Sequence, residues 1–440
     1  MKFILIYSVT SFLLFVKFPA QAQKKADTLL PDATLTACIN YALVHQPLIL
    51  LSLLNERISD EQVKIKLADW YPQLNVNYNL QHNFELPTSY FSGGYQKNGT
   101  YNTSFLGLNA IQTIFNKDLL LANKTIKYIK NEFAQNTASS KIEIAVAVGK
   151  AFYDVMLTNK QVDVLGEAIK RLAGSLKDTY SQYQSGITDK TDYKRATIAL
   201  NNAMSLQKQA RALIPARKAY LKQLMGYPDS LDIVLYYDTL RLESDAIIDT
   251  LMAVNYSNRI EYMILQTKQH LLQANLEYFK KSYLPTISAF GNYNLGFLSN
   301  NFIKTYNQFF PNSNLGLQLT MPIFQGHKRM HQVEETILQL NAINLDITFF
   351  KSRVNTEYSA ALAVYKSNLY NYGALKENLQ LAQEVYNVIQ LQYSAGIKTY
   401  LEVILAESEL RTTQLNYYNS LYLLVQSKLD VQKALGTIQY

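Results

Sequence analysis

The chain has 440 residues, 48% of them apolar and 17% charged, with a formal net charge of +8, one Cys and five His. A single thiol excludes a disulfide framework or a multi-cysteine zinc site, and 16 Gly with 10 Pro exclude collagen-like and linker-dominated chains. No apolar run of about 18 residues follows the N-terminal segment, so the rest of the chain offers no candidate for a membrane-spanning helix.

Residues 1–22 read as a secretory signal: Lys2 supplies the positive start, Phe3 to Val16 the apolar stretch, and Ala20-Gln21-Ala22 the cleavage pattern. Cleavage there removes Lys2 and Lys17 and lowers the formal charge from +8 to +6. No basic cluster is interleaved with aromatics, so nucleic acid is not an expected partner. Leu35-Thr36-Ala37-Cys38 imitates a lipoprotein box, but it lies well beyond the apolar stretch. Cys38 is expected as a small buried residue at a helix start.

A helix is expected over about 39–70, followed by a strand. Leu74, Val76, Tyr78, Leu80 and Phe84 alternate with Asn75, Asn77, Asn79, Gln81 and Asn83, and period-two alternation puts each set on one face of a sheet. A second strand over about 102–114 alternates less cleanly. Residues 117–185 contain no Pro and predict one helix roughly 100 Å long at 1.5 Å per residue. Gly186 supplies the positive φ of a tight turn, and a returning helix over about 187–225 should kink at Pro215. The segment 227–245 reads as a connection.

The pattern then recurs at an offset of about 210. Tyr71-Pro72-Gln73-Leu74 answers Leu284-Pro285-Thr286-Ile287, Ile114-Phe115-Asn116 answers Ile323-Phe324-Gln325, and Tyr183-Gln184-Ser185-Gly186-Ile187 answers Tyr393-Ser394-Ala395-Gly396-Ile397. A unit this long is a duplicated half-molecule rather than a solenoid repeat. The resulting division is a signal peptide (1–22), a first half (23–226), a connecting segment (227–245) and a second half (246–440). In the second half, Ile287, Ala289, Tyr293, Leu295 and Phe297 alternate with Ser288, Asn292 and Asn294, and Leu315, Leu317, Leu319 and Met321 alternate with Gly316, Gln318 and Thr320. The long helix over 327–395 carries a seam of apolar residues from Ile337 through Phe350 and Val354 to Tyr365.

Strands that are apolar on one face and amide-rich on the other fit a membrane barrel with a wet lumen. Asn is a poor strand former, so its abundance here favours that reading over a half-buried soluble sheet. Four strands cannot close a barrel, which needs at least about eight, and open edges do not persist in lipid. An oligomer is therefore demanded.

Candidates for chemistry are few. His327 and His331 have the i, i+4 spacing of helical metal ligands, but Lys328 and Arg329 stand between them and no Glu occupies the zinc-protease position; no metal is expected. No nucleophile–His–acid set or phosphate-cradling loop stands out, so neither catalysis nor a cofactor is expected. Trp70, Tyr71, Phe115, Tyr283 and Phe324 flank the strands where an aromatic belt would sit.

Taken together, the duplicated helix-strand-strand-helix halves, the Pro72 and Pro285 strand entries, the Ile-Phe strand exits and the paired turns at Gly186 and Gly396 resemble TolC-type outer-membrane efflux proteins. The resemblance covers nearly the whole mature chain. It implies a mainly α protein with a membrane β segment, in which a homotrimer shares a twelve-stranded barrel above a periplasmic tunnel of long antiparallel helices. It implies as partners a periplasmic adaptor, an inner-membrane pump and outer-membrane lipid, with the connection at 227–245 in a thicker belt. The adaptor would dock on the tips at Gly186, Ile187, Gly396 and Ile397. By the same resemblance Asp192 would latch Tyr393 and Lys398, and Glu402 would line the periplasmic constriction. Leu405 stands where the family has a second acid, which implies one acidic ring and one aliphatic ring. The competing class is a soluble periplasmic helical scaffold or adaptor without a barrel; the Gly/Pro-rich β-domain expected of an adaptor is absent from the sequence.

Overall fold

The computed structural model describes residues 33–91, 93–236 and 239–438; the signal segment at 1–22 lies outside them. Helix α1 (Leu35–His45) starts under the side chain of Thr34, which accepts the Ala37 amide. Where a single helix is expected over 39–70, the chain breaks at Gln46 and resumes as α2 (Pro47–Leu67). Pro47 is the cause, because its ring disfavours the α region for the residue before it; Gln46 sits at φ −66°, ψ 122°. Proline then serves as the first residue of α2, where a missing amide costs nothing.

The chain continues through β1 (Gln73–His82), the small hairpin β2 (Thr88–Phe91) and β3 (Gly94–Lys97), and β4 (Asn102–Phe115). Next come α3 (Lys117–Gln184) and α4 (Lys190–Met225). A connection carrying α5 (Thr239–Asp245) leads to α6 (Ile260–Lys280), β5 (Thr286–Ser299), β6 (Phe309–Thr320), α7 (Lys328–Ser394) and α8 (Tyr400–Leu435). The long helices have 68 and 67 residues and the returning ones 36 each. α4 is not interrupted at Pro215. Side chains on either side of the proline hold it to α3: Gln207 donates to the Val162 carbonyl (3.1 Å) and Arg217 to the Asp154 carbonyl (3.1 Å).

Four strands form one antiparallel sheet in the order β1-β4-β5-β6, so β4 and β5 join the two halves. The register aligns Val76, Leu108 and Tyr293 across β1, β4 and β5 on one face. Leu74, Val76, Tyr78 and Leu80 on that face are 48% to 78% exposed. The weak alternation of β4 has three visible causes. Phe105 and Ile111 stand on the amide face, opposite Asn79 and Gln73. Ser104 and Gln112 occupy apolar-face positions but find partners at the sheet's ends, Ser104 with the Tyr306 hydroxyl (3.4 Å) and Gln112 with the Trp70 carbonyl. A bulge between Thr113 and Phe115 then shifts the register against β5, as bulges do at sheet margins.

The main core lies away from the sheet, where α1, the middle of α3, the ends of α4 and α8 and the connection meet around the fully buried Phe152, Leu221, Leu242 and Leu424. Each such side chain contributes roughly 1.5–3 kcal/mol. Cys38 is fully buried there and its thiol is pushed up to about 12 by burial, so the lipoprotein-like box is an internal helix turn. Tyrosines tie the connection to the long helices. Tyr365 accepts the Ile248 amide and donates to the Ala246 carbonyl, Tyr358 donates to the Met252 carbonyl, and Tyr417 donates to Glu243, whose carboxylate also pairs with Lys376. A long apolar ring with a polar end suits this bridging, and it accounts for part of the unusual use of 33 Tyr.

Two matching joints complete the frame. Gly226, at φ 67°, ends α4 against the α1–α2 break; a Cβ there would lie 2.6 Å from the His45 carbonyl oxygen. Gly436, at φ 71°, ends α8 against the start of α6; a Cβ there would lie 2.7 Å from the Asn258 oxygen. The buried Arg259 locks the second joint, reaching Glu261, Glu357 and the Ala434 carbonyl.

Candidate functional site

The two hairpin tips are built alike. Gly186 donates to the Tyr183 carbonyl (3.0 Å) and Ile187 to that of Gln182 (2.9 Å); Gly396 donates to Tyr393 (3.0 Å) and Ile397 to Gln392 (2.9 Å). These bonds, with φ of 71° and 75° at the glycines, close each long helix with a Schellman motif. They leave Ile187 and Ile397 projecting, 76% and 71% exposed. α4 restarts under Asp189 and α8 under Thr399, whose amide donates to Glu402 in a capping box.

The hairpins share a small core at this end, where Ala196 of α4 meets Tyr400 and Val403 of α8. Ser175 of α3 donates to the Tyr400 hydroxyl at 3.2 Å. Tyr393 also crosses between hairpins, but its hydroxyl donates to Gln182 (2.9 Å) rather than to Asp192. Asp192 instead accepts from Thr188 (2.8 Å) and lies 3.9 Å from Arg195. Lys398 turns to Glu402, 2.6 Å away on its own hairpin. Within one chain the three groups expected in the latch thus hold other partners, Asp192 and Lys398 local ones on their own hairpins and Tyr393 one on the other hairpin. The Lys398 ammonium, together with the Thr399 amide, also holds the Glu402 carboxyl below the usual range. Leu405, one turn on, is 60% exposed.

A second charged cluster behind the tip was not anticipated. Glu407 is 3% exposed, with Arg171 of α3 at 3.5 Å and Arg411 at 3.9 Å. Arg171 also lies over the Tyr386 ring, 5.7 Å from its centroid. Burial pushes the Glu407 carboxyl up, ahead of the lowering by the two guanidiniums. The available signal is spacing: Val403, Glu407 and Leu410 share one face of α8, which puts a carboxylate on an apolar stripe. At the other end of the chain, His327 adopts φ 62° at the turn into α7, against the Phe324 ring, and His331 is exposed.

Among the described residues no single helix is long and apolar enough to cross a membrane; α1 and α2 pass only as a pair bent by 44°, and Cys38, Ala42 and Ile49 of that pair are core residues. Comparison with known proteins agrees with this architecture. CusC, as a solved structure, superposes with a TM-score of 0.72 at 16% identity over 92% of each chain. The CmeC channel of Campylobacter jejuni gives 0.71 at 16% identity, covering 92% of this chain and 85% of its own. In sequence, the outer membrane protein TolC of Vibrio cholerae is 20% identical over 348 residues, 76% of each chain. The probable efflux pump outer membrane protein TtgC of Pseudomonas putida is 21% identical over 413 residues, 92% of this chain and 83% of its own. The family model described as outer membrane efflux protein matches residues 38–227 and 265–437. The chain belongs to the outer membrane efflux protein family, whose members are channels of the outer membrane and not enzymes.

Proposed function

We propose that three copies of this chain close one twelve-stranded barrel in the outer membrane. Their helical hairpins form a periplasmic tunnel that passively conducts substrate from an adaptor and an inner-membrane pump to the exterior. The observation that carries this reading is the sheet: β1 and β6 are both unpaired at its edges, and its apolar face is uncovered. Unpaired edges in lipid leave backbone groups without partners; threefold closure satisfies them all. A soluble scaffold would leave the same apolar face in water, which disfavours it. The relatives' names as efflux-pump outer membrane proteins support the tripartite role.

In this reading the halves at 23–226 and 246–440 are duplicated units, the tips carrying Ile187 and Ile397 receive the adaptor, and Glu402 with Leu405 lines the mouth. The Tyr393–Gln182 bond replaces the expected latch as the tie between hairpins, with Lys398 and Asp192 supporting their own turns. Outer-membrane fractionation with heat-resistant trimer migration on a gel tests the assembly. A monomer in the soluble periplasmic fraction would overturn it.

A further inference from the structure

The sheet face opposite the apolar one is built from neutral groups. No Asp, Glu, Lys or Arg occurs in β1, β4, β5 or β6. The register instead aligns one Asn from every strand, Asn75, Asn109, Asn292 and Asn314, into a continuous row. Two residues further along, Asn77, Asn294 and Asn312 form a second row, with Gly107 at the remaining position. Within the rows Asn292 donates to Asn314 (2.8 Å) and Asn294 to Asn312 (3.0 Å). Gly107 makes the second row possible, since a Cβ there would lie 2.7 Å from the Asn294 side-chain oxygen. A primary amide offers two donor hydrogens and an acceptor oxygen with two lone pairs, so one bond per pair leaves most of that capacity open to solvent.

The nearest charges on the same elements lie beyond the strand ends. Asn292 is six residues into β5, roughly 20 Å along the strand, which exceeds the Debye length of about 10 Å at 0.1 M salt. At the base, Lys66 pairs with Asp69, and Lys117 donates to the Ser282 carbonyl.

We propose that these two amide rows form a girdle that makes the membrane section of the conduit blind to charge, an inference that rests on the barrel reading above. Cargo of either sign passes the girdle by exchanging hydrogen bonds with neutral amides.

The only native thiol, Cys38, is fully buried, so single cysteines can be placed as reporters. Asn292→Cys and Val76→Cys trimers in lipid nanodiscs are treated with cationic and anionic methanethiosulfonates of matched size, and rates are normalised to a free thiol. The girdle position should react with both, at a normalised ratio within about twofold of unity in 0.1 M salt, where distant charges are screened. A ratio beyond about twofold in either direction at the girdle overturns charge blindness. Aqueous reaction at Val76→Cys with none at Asn292→Cys would instead reverse the sheet faces and overturn the barrel reading itself. Asn312→Cys, in the adjoining row, serves if Asn292→Cys does not assemble.

Discussion

Four glycines in this chain separate two physical costs that usually arrive together. Gly186, Gly226, Gly396 and Gly436 all sit between φ 67° and 75°, where an L-residue pays about 1–2 kcal/mol. At the tips a Cβ would meet nothing within 4 Å, whereas at the joints it would meet backbone oxygen at 2.6 and 2.7 Å. Backbone cannot yield as a flexible side chain can, so Gly226→Ala must move the α1–α2 break and Gly436→Ala the start of α6. Overpacking of that kind adds about 1–3 kcal/mol. The tip variants Gly186→Ala and Gly396→Ala should therefore lose about 1–2 kcal/mol and the joint variants about 2–5 kcal/mol. Thermal scans of purified protein, read by far-UV circular dichroism at one scan rate because unfolding of such a protein is kinetically controlled, should rank both joint variants below both tip variants. Equal losses in all four would show that the joints relax freely and that the end-to-end contact of short helices contributes nothing.

Val76→Arg should block trimer assembly while Asn77→Arg is tolerated, because a lipid-facing Arg near the bilayer midplane costs about 2–4 kcal/mol; equal trimer yields would reject the assignment of sheet faces. Gly186→Leu and Gly396→Leu should abolish efflux without lowering trimer yield, measured as drug susceptibility beside gel migration, and retained resistance in both would place adaptor docking elsewhere. For Glu407 the sign follows from its raised carboxyl. The folded state holds the proton more tightly than the unfolded chain, so stability is lost as pH rises from the ordinary carboxylate range through the folded value. Glu407→Gln should accordingly gain stability relative to wild type as pH rises, and a difference that shrinks with pH would refute this. Glu402 has the opposite sign, its carboxyl being lowered by Lys398 and the Thr399 amide. Its cap on α8 should persist above the ordinary carboxylate range and loosen as pH falls through the folded value, detectable as a fall in amide protection at residues 399–402 relative to the intrinsic exchange rate at each pH; protection that stays unchanged on acidification would reject it.

Much of the frame was legible in the sequence because it rests on local rules. Absence of proline, glycine at the turns and period-two alternation are properties of short windows, and they locate the long helices and three of the four sheet strands to within about two residues of their ends, as such boundaries allow; β6 begins at Phe309, six residues before the alternation that starts at Leu315. The break at Gln46 was equally local, since Pro47 announces it, yet the end-to-end joint it forms with Gly226 needs both helices in place. Pro215 shows the converse: local chemistry predicts an interruption, and α4 is assigned as one helix across it while Gln207 and Arg217 hold it to α3. The face alternation of β4 was obscured because Ser104 and Gln112 are satisfied by Tyr306 and Trp70, residues remote in sequence.

At the tips the sequence determined the turns and the exposed isoleucines by itself, since a Schellman closure depends on a glycine and its near neighbours. Which side chains then tie the hairpins together was decided only by tertiary structure. Asp192 and Lys398 pair locally, at i, i+4 spacing, with Thr188 and Glu402, whereas the choice of Gln182 by Tyr393 follows from how two hairpins lie against each other. The same holds for Glu407, whose charge meets Arg171 only after α3 packs on α8, and for the asparagine rows. Alternation places each Asn on a face, but only strand register places four of them side by side, because register is fixed by pairing between segments that are distant in the chain.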